Sequence, residues 1–176
     1  SFVEEFSTNT KHQIKFLSDT IDGFRNFFNP NKNKKLFSLQ DSLSNVLSLL
    51  DKQISSNNIS INNKIESEHV YGVITELEQV LLNLITNSKD AFISRDIKDR
   101  TISISSGSTN QHTLLVVEDN AGGIQTSDLE EIFNPYYTTK EEGTGTGLYM
   151  VKLVIKTSFN GDLKIENSEN GVKFVI

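Results

Sequence analysis

The chain has 176 residues, no cysteine and a formal net charge of −6, with 36% hydrophobic and 23% charged residues. That length is about one domain's worth and enough for a core without staples, and the balance reads as globular rather than disordered. The absence of cysteine excludes a disulfide scaffold, a thiolate metal site and a cysteine nucleophile, and fits a reducing compartment; the acidic balance argues against a nucleic-acid binder.

No apolar run approaches the ~18–20 residues a membrane span needs, and the N-terminus does not have the pattern of a signal peptide. A start at Ser1 and an end inside Phe174-Val175-Ile176 read as a piece of a longer protein, so a membrane anchor in the parent stays open. Phe2, Phe6, Ile14, Leu17, Ile21, Phe24 and Phe28 recur at helical spacing, with one skip, as in a helix that pairs with other helices. Asn29-Pro30 ends that helix and, with the basic stretch Asn31 to Lys35, marks a boundary.

Beyond it Phe37 begins a short extended segment, and Ser38 with Asp41 has the spacing of a capping box. Leu43, Val46, Leu47 and Leu50 mark a helical face. Ile59 and Ile61 alternate in a strand ending near Ile65. A long helix is expected over 71–95, then strands at Thr101–Ser105 and Leu114–Val117, a helix from Leu148 to Ser158, and strands near Leu163–Ile165 and Val172–Ile176. Helices and strands mix without strict alternation. The expected class is α+β, an antiparallel-rich sheet with helices on one face.

The long helix has two faces. Ile74, Leu77, Leu81, Leu84, Ser88 and Ala91 form a core stripe. Beside it run Gln79, Asn83, Asn87 and Asp90, which as a stripe also suits a solvated face. Asparagine, however, is a poor helix former, and its amide oxygen is a hard neutral ligand suited to Mg²⁺, which takes its other oxygens from phosphates and water.

Next, the apolar Val116-Val117 delivers Glu118-Asp119-Asn120 into Ala121-Gly122-Gly123-Ile124. Those residues suit a plain strand-ending turn. They equally suit a nucleotide site, because ionised Asp119 is acceptor-only and can take a hydrogen bond from an adenine amine, while Gly123 lets a ring come close. Then Gly143-Thr144-Gly145-Thr146-Gly147-Leu148 opens a helix, where freed amides and the helix N-terminus favour an anion, although a flexible hinge has the same composition. A P-loop is excluded because Leu148-Tyr149 follows the last glycine, and a dinucleotide fingerprint because Thr-Thr-Lys-Glu-Glu precedes the first. Between the two glycine segments lies Ile132-Phe133-Asn134-Pro135-Tyr136-Tyr137-Thr138-Thr139-Lys140. Its lysine suits either solvent or a terminal phosphate.

Taken together, Asn83 to Ala91 resembles the asparagine box of sensor histidine kinases and Asp119 to Ile124 their first glycine box. Phe133 to Lys140 is similar to their phenylalanine box and Gly143 to Leu148 to their second glycine box. The resemblance covers roughly residues 36 to 176, and residues 1 to 28 resemble the second helix of the dimerisation and phosphoacceptor hairpin. It implies a partial hairpin helix over 1–30 and a catalytic ATP-binding domain over 31–176. The implied fold is the two-layer α/β sandwich, the Bergerat-type fold, shared with DNA gyrase, a heat-shock chaperone family and the MutL ATPases. The implied ligands are ATP and Mg²⁺, with Asn87 on the metal, Asn83 and Asp90 along the phosphate and adenine sides, and Asp119 on adenine. Gly123, Ile124, Tyr137, Thr139, Lys140, Gly143, Thr144, Gly145, Thr146, Gly147 and Leu148 complete the implied set. Residues from about Gln125 to Gly143 would form a mobile lid. Ala121, Thr146 and the two tyrosines depart from the commoner family residues without removing a ligand atom.

The family's phosphoacceptor, a His followed by an acidic residue and soon a Pro, does not occur. His12 precedes Gln13-Ile14-Lys15, and only about 17 residues separate it from Pro30, too few for the rest of a helix, a turn and a second helix. His12, His69 and His112 read as ordinary histidines. The expected function is γ-phosphoryl transfer to a histidine outside the chain, in two-component signalling. A response regulator is the expected partner, the parent is a homodimer, and the location is cytoplasmic. The alternatives are a non-catalytic nucleotide-binding or dimerisation module, and a serine kinase or ATPase of the same superfamily. Such ATPases place a Glu four residues before the metal Asn, where this chain has Asn83.

Overall fold

The computed structural model describes residues 33–66, 68–109, 112–125, 129–140 and 143–176. The helix expected over residues 1–28 lies outside the described residues, as does the boundary at Asn29-Pro30.

The described chain enters through β1 (Lys35–Ser38), whose Phe37 turns into the core. Ser38 then caps α1 (Leu39–Ser56): its Oγ accepts the Asp41 N–H at 3.2 Å, as the capping-box spacing predicts. Leu39, Leu43, Val46 and Leu50 form the buried face of α1, three or four residues apart. Replacing Ser38 with Ala leaves a first-turn amide without its acceptor. The expected cost is about 0.5–2 kcal/mol, read as a lower urea midpoint at unchanged slope.

After β2 (Ile59–Lys64) comes a strand that the sequence reading missed. β3 (His69–Gly72) pairs antiparallel with β1, Leu36 opposite Tyr71, as a separate two-stranded sheet. The long helix α2 therefore runs over Ile74–Ser94 rather than from residue 71. β3 alternates in burial, but its outward residue Tyr71 is apolar and its buried position is Gly72, so no polar/apolar alternation reveals it. Gly72 sits against the Phe159 ring, where a side chain would collide.

The main sheet adds β4 (Arg100–Ser108), β5 (Thr113–Asp119), β6 (Lys164–Asn167) and β7 (Val172–Val175), in the order β2-β4-β5-β7-β6. Among the described strands only the β2–β4 pair is parallel. Ile59, Ile102, Ile104, Leu115, Val117, Ile165 and Phe174 are buried, beneath a helical layer of α1, α2 and α3 (Gly147–Ser158). The fold is the two-layer α/β sandwich expected.

Two rows of the core end on polar groups, and this places the site. On β5 the inward row is Leu115, Val117, Asp119. On α2 the buried row runs through Leu77, Leu81 and Leu84 to Ser88. The alternation that buries apolar side chains thus carries a carboxylate and a hydroxyl into the same layer.

Candidate functional site

Asp119 is 6% exposed and three donors point at it. Ser88 Oγ donates to Oδ2 at 2.6 Å, and the N–H groups of Ala121 and Val172 donate to Oδ1 at 3.0 and 3.4 Å. A buried carboxylate requires such partners. Among the described residues Oδ1 takes two protein donors and Oδ2 one, so Oδ2 keeps a spare lone pair. The Gly-Gly turn beyond is held by its neighbours: Asn120 Oδ1 accepts the Thr101 N–H at 2.9 Å, and its Nδ2 donates to the Asp99 carbonyl at 2.7 Å.

Asp119 lies at a cleft of about 770 Å³, within the usual range of roughly 300–1,000 Å³ for small-molecule sites. One wall is the polar stripe of α2, with Asn83, Asn87 and Asp90 all lining it. The other is the glycine segment, with Gly143, Thr144, Gly145, Gly147 and Leu148, together with Tyr137, Thr139 and Lys140. Gly123 and Ile124 line the cleft beside Asp119. Thus every residue of the implied ligand set lines one cleft except Thr146, and Gln79 of the polar stripe does not line it. That threonine is instead the N-cap of α3, and its Oγ1 lies 2.9 Å from Thr144 Oγ1. Among the described residues no side chain caps the N-terminus of α3, the kind of helix end whose amides suit an anion.

The segment before the glycines is anchored by Ile132 and Phe133, both 4% exposed, in a 3₁₀ turn over Leu129–Phe133. Lys152 of α3 stands 4.9 Å above the Phe133 ring and pairs with Glu130 at 2.5 Å. Further on, the Tyr136 N–H donates to the Gly145 carbonyl at 2.9 Å. Gly145 has φ 64°, and a Cβ there would strike the Tyr136 backbone, so glycine alone permits this approach. Across the cleft, Lys140 Nζ sits 2.7 Å from Asp90 Oδ2 and 3.4 Å from Asn87 Oδ1. Both ends of the ion pair are about 40% exposed, so it is a weak tether of at most ~1 kcal/mol.

Two site residues escaped the sequence reading as functional groups. Ser88 reads as part of the core stripe, although a hydroxyl in an apolar row is itself a signal. Arg95 follows α2 and looks like an ordinary terminal charge, yet it lines the cleft and binds the glycine turn.

Residues 72–176 match the sequence profile of the family described as "Histidine kinase-, DNA gyrase B-, and HSP90-like ATPase". The chain belongs to this family. Within it, the relatives are sensor kinases. Sporulation kinase C of Bacillus subtilis (strain 168) is 32% identical over 136 residues, which is 76% of this chain and 31% of that protein. The catalytic domain of histidine kinase ThkA superposes with a TM-score of 0.71 at 30% identity, covering 81% of this chain and 93% of that one. The structure of ThkA in complex with response regulator protein TrrA aligns at 25% identity and TM-score 0.67, covering 92% of this chain and 47% of that one. The chain is a histidine kinase ATPase domain of the two-component sensor type, and spans about a third or less of the curated relatives' own length. Among its described residues no helix is long and apolar enough to cross a membrane.

Proposed function

We propose that the cleft binds ATP with Mg²⁺ and that the domain passes the γ-phosphoryl group to a histidine outside residues 1–176. The observation that carries this reading is the polarity of the cleft. At one end stands a buried, acceptor-only carboxylate with a spare lone pair; at the other are uncapped amides of a helix N-terminus behind three glycines. A purine amine suits the first and a polyphosphate suits the second.

Asp119 accepts from the adenine amine through Oδ2, while Ile124 and Leu148 flank the base. Amides from Gly143 to Gly147 cradle the phosphates, and Lys140 adds charge at the terminal one. Asn87 fits a divalent ion. Its half-buried amide oxygen already faces a cation, the Lys140 ammonium at 3.4 Å. Among the described residues no three His, Asp or Glu side chains converge as a metal cage, which matches an ion that draws its remaining oxygens from phosphate and water. When bound, Mg²⁺ neutralises phosphate charge and so eases in-line displacement. The P–O bond to the β-phosphate breaks, a P–N bond to the acceptor imidazole forms, and ADP leaves. Asn83, whose Nδ2 donates to the Gln79 carbonyl at 3.0 Å, is an amide and not a base. It cannot take a proton from water, which disfavours simple hydrolysis.

On this reading the acceptor lies on the dimerisation hairpin of a cytoplasmic, homodimeric parent, and the product serves a response regulator. The test is calorimetric titration with ATP, with and without Mg²⁺, followed by γ-labelled ATP with and without an added phosphoacceptor hairpin. The chain alone should stay unlabelled, since none of its three histidines has the acidic-then-proline context and positioning supplies most of the rate. Acid-labile label should appear on the hairpin. Release of free phosphate without hairpin label would defeat the kinase reading, and label on His12 would defeat the outside acceptor.

A further inference from the structure

The turn after Asp119 has a mechanical problem. Gly122 and Gly123 lie consecutively in the left-handed region, at φ 90° and 73°, and glycine has more backbone freedom to lose than any other residue. Yet this turn supplies the Ala121 N–H that aims Asp119 Oδ1. Slack in the turn is slack in the carboxylate.

Contacts from two sides take up that slack. From the β6–β7 hairpin, the Asn170 carbonyl accepts the Gly122 N–H at 2.8 Å. Asn167 brackets Ile124, accepting its N–H at 2.8 Å and donating to its carbonyl at 3.0 Å. From the opposite side comes Arg95, whose Nη1 donates to both the Ala121 and Gly123 carbonyls, at 2.5 and 2.6 Å. Two carbonyls on alternate residues thus converge on one cationic nitrogen, a charge-assisted contact stronger than a neutral one. Arg95 is the C-cap of α2, where a positive charge suits the helix dipole, and α2 carries Asn83, Asn87 and Asp90.

We propose that Arg95 is a positioning residue that sets the Asp119 turn against α2 and thereby determines purine selectivity. The inference rests on the reading of the cleft as an ATP site. Arg95 acts through the turn and not on the phosphates, so its loss is felt at the base end alone. Lysine retains the charge but not the two fixed, planar N–H directions of Nη1, and restores the geometry only in part.

The experiment measures ATP, GTP and tripolyphosphate binding to the unmodified chain, Arg95→Ala and Arg95→Lys. Arg95→Ala should weaken ATP about tenfold, narrow the ATP-over-GTP preference, and leave tripolyphosphate unchanged. Arg95→Lys should fall between the two and serves if the alanine variant does not fold. An ATP preference that survives in both variants overturns the proposal alone, as does a parallel fall in ATP and tripolyphosphate affinity. No preference for ATP in the unmodified chain overturns the ATP reading and this proposal with it.

Discussion

Replacing Asp119 with Asn should weaken ATP binding about ten- to a hundredfold and erase the preference over GTP, while leaving the fold intact. The hydrogen-bond pattern decides both halves of that expectation. Oδ1 receives two backbone N–H groups, from Ala121 and Val172, which cannot reverse their polarity. Among the described residues Oδ2 receives only the Ser88 hydroxyl, which can rotate. The asparagine amide therefore settles with its oxygen toward the backbone donors and its NH₂ toward Ser88. The hydroxyl accepts that NH₂ and turns its single hydrogen to the Leu84 carbonyl, 3.2 Å away. No buried polar atom is orphaned, so the melting temperature should change little. The ligand fares worse: a donor now occupies the position that received the adenine amine. Losing a hydrogen bond to a charged group costs about 1.5–3 kcal/mol, which is the stated range of affinity. Calorimetry with ATP and GTP reads it directly. An unchanged ratio of the two affinities would remove Asp119 from the role of base reader.

The same residues show what a sequence can and cannot disclose about such a site. Asp119 was legible because strand alternation is strict: with Leu115 and Val117 inward, position 119 must also point inward, and a Gly-Gly turn follows at once. The polar stripe of α2 and the glycine loop were legible for a similar reason, since helical spacing and freed amides are local properties. The Ser38 cap was local as well. The contacts that hold these groups in place are not local. Ser88 meets Asp119 across 31 positions of chain and Arg95 meets Ala121 across 26, and neither pairing has a periodicity to betray it. β3 escaped for a different reason. Its pairing with β1 is satisfied by backbone groups while Leu36 and Tyr71 point outward, so the side-chain pattern carries no signal of burial. Strand order was similarly hidden, because the insertion of β5 between β4 and β7 depends on long-range closure.

Asn87→Ala should reduce ATP affinity about ten- to a hundredfold in Mg²⁺ and change it by less than about twofold in EDTA. Only the proposed metal ligand is removed. The Lys140 contact with the Asn87 amide is long, at 3.4 Å, and Lys140 keeps its shorter pairing with Asp90 at 2.7 Å. An indirect loss through unfolding is not expected, because alanine is the better helix former by up to ~0.7 kcal/mol and Asn87 is only half-buried in the middle of α2. The metal-free arm then isolates what the rest of the cleft contributes through Asp119, the glycine amides and Lys140. Asp90→Asn supplies the control on the tether: it frees Lys140 from its ion pair yet keeps Asn87, and should preserve the Mg²⁺ dependence. Asparagine and aspartate thus part company along one helical stripe, the first proposed to hold an ion through a neutral oxygen and the second pairing with a lysine. Equal weakening of Asn87→Ala in Mg²⁺ and in EDTA would assign Asn87 to phosphate contact or packing, and the divalent ion would have to be sought elsewhere in the cleft.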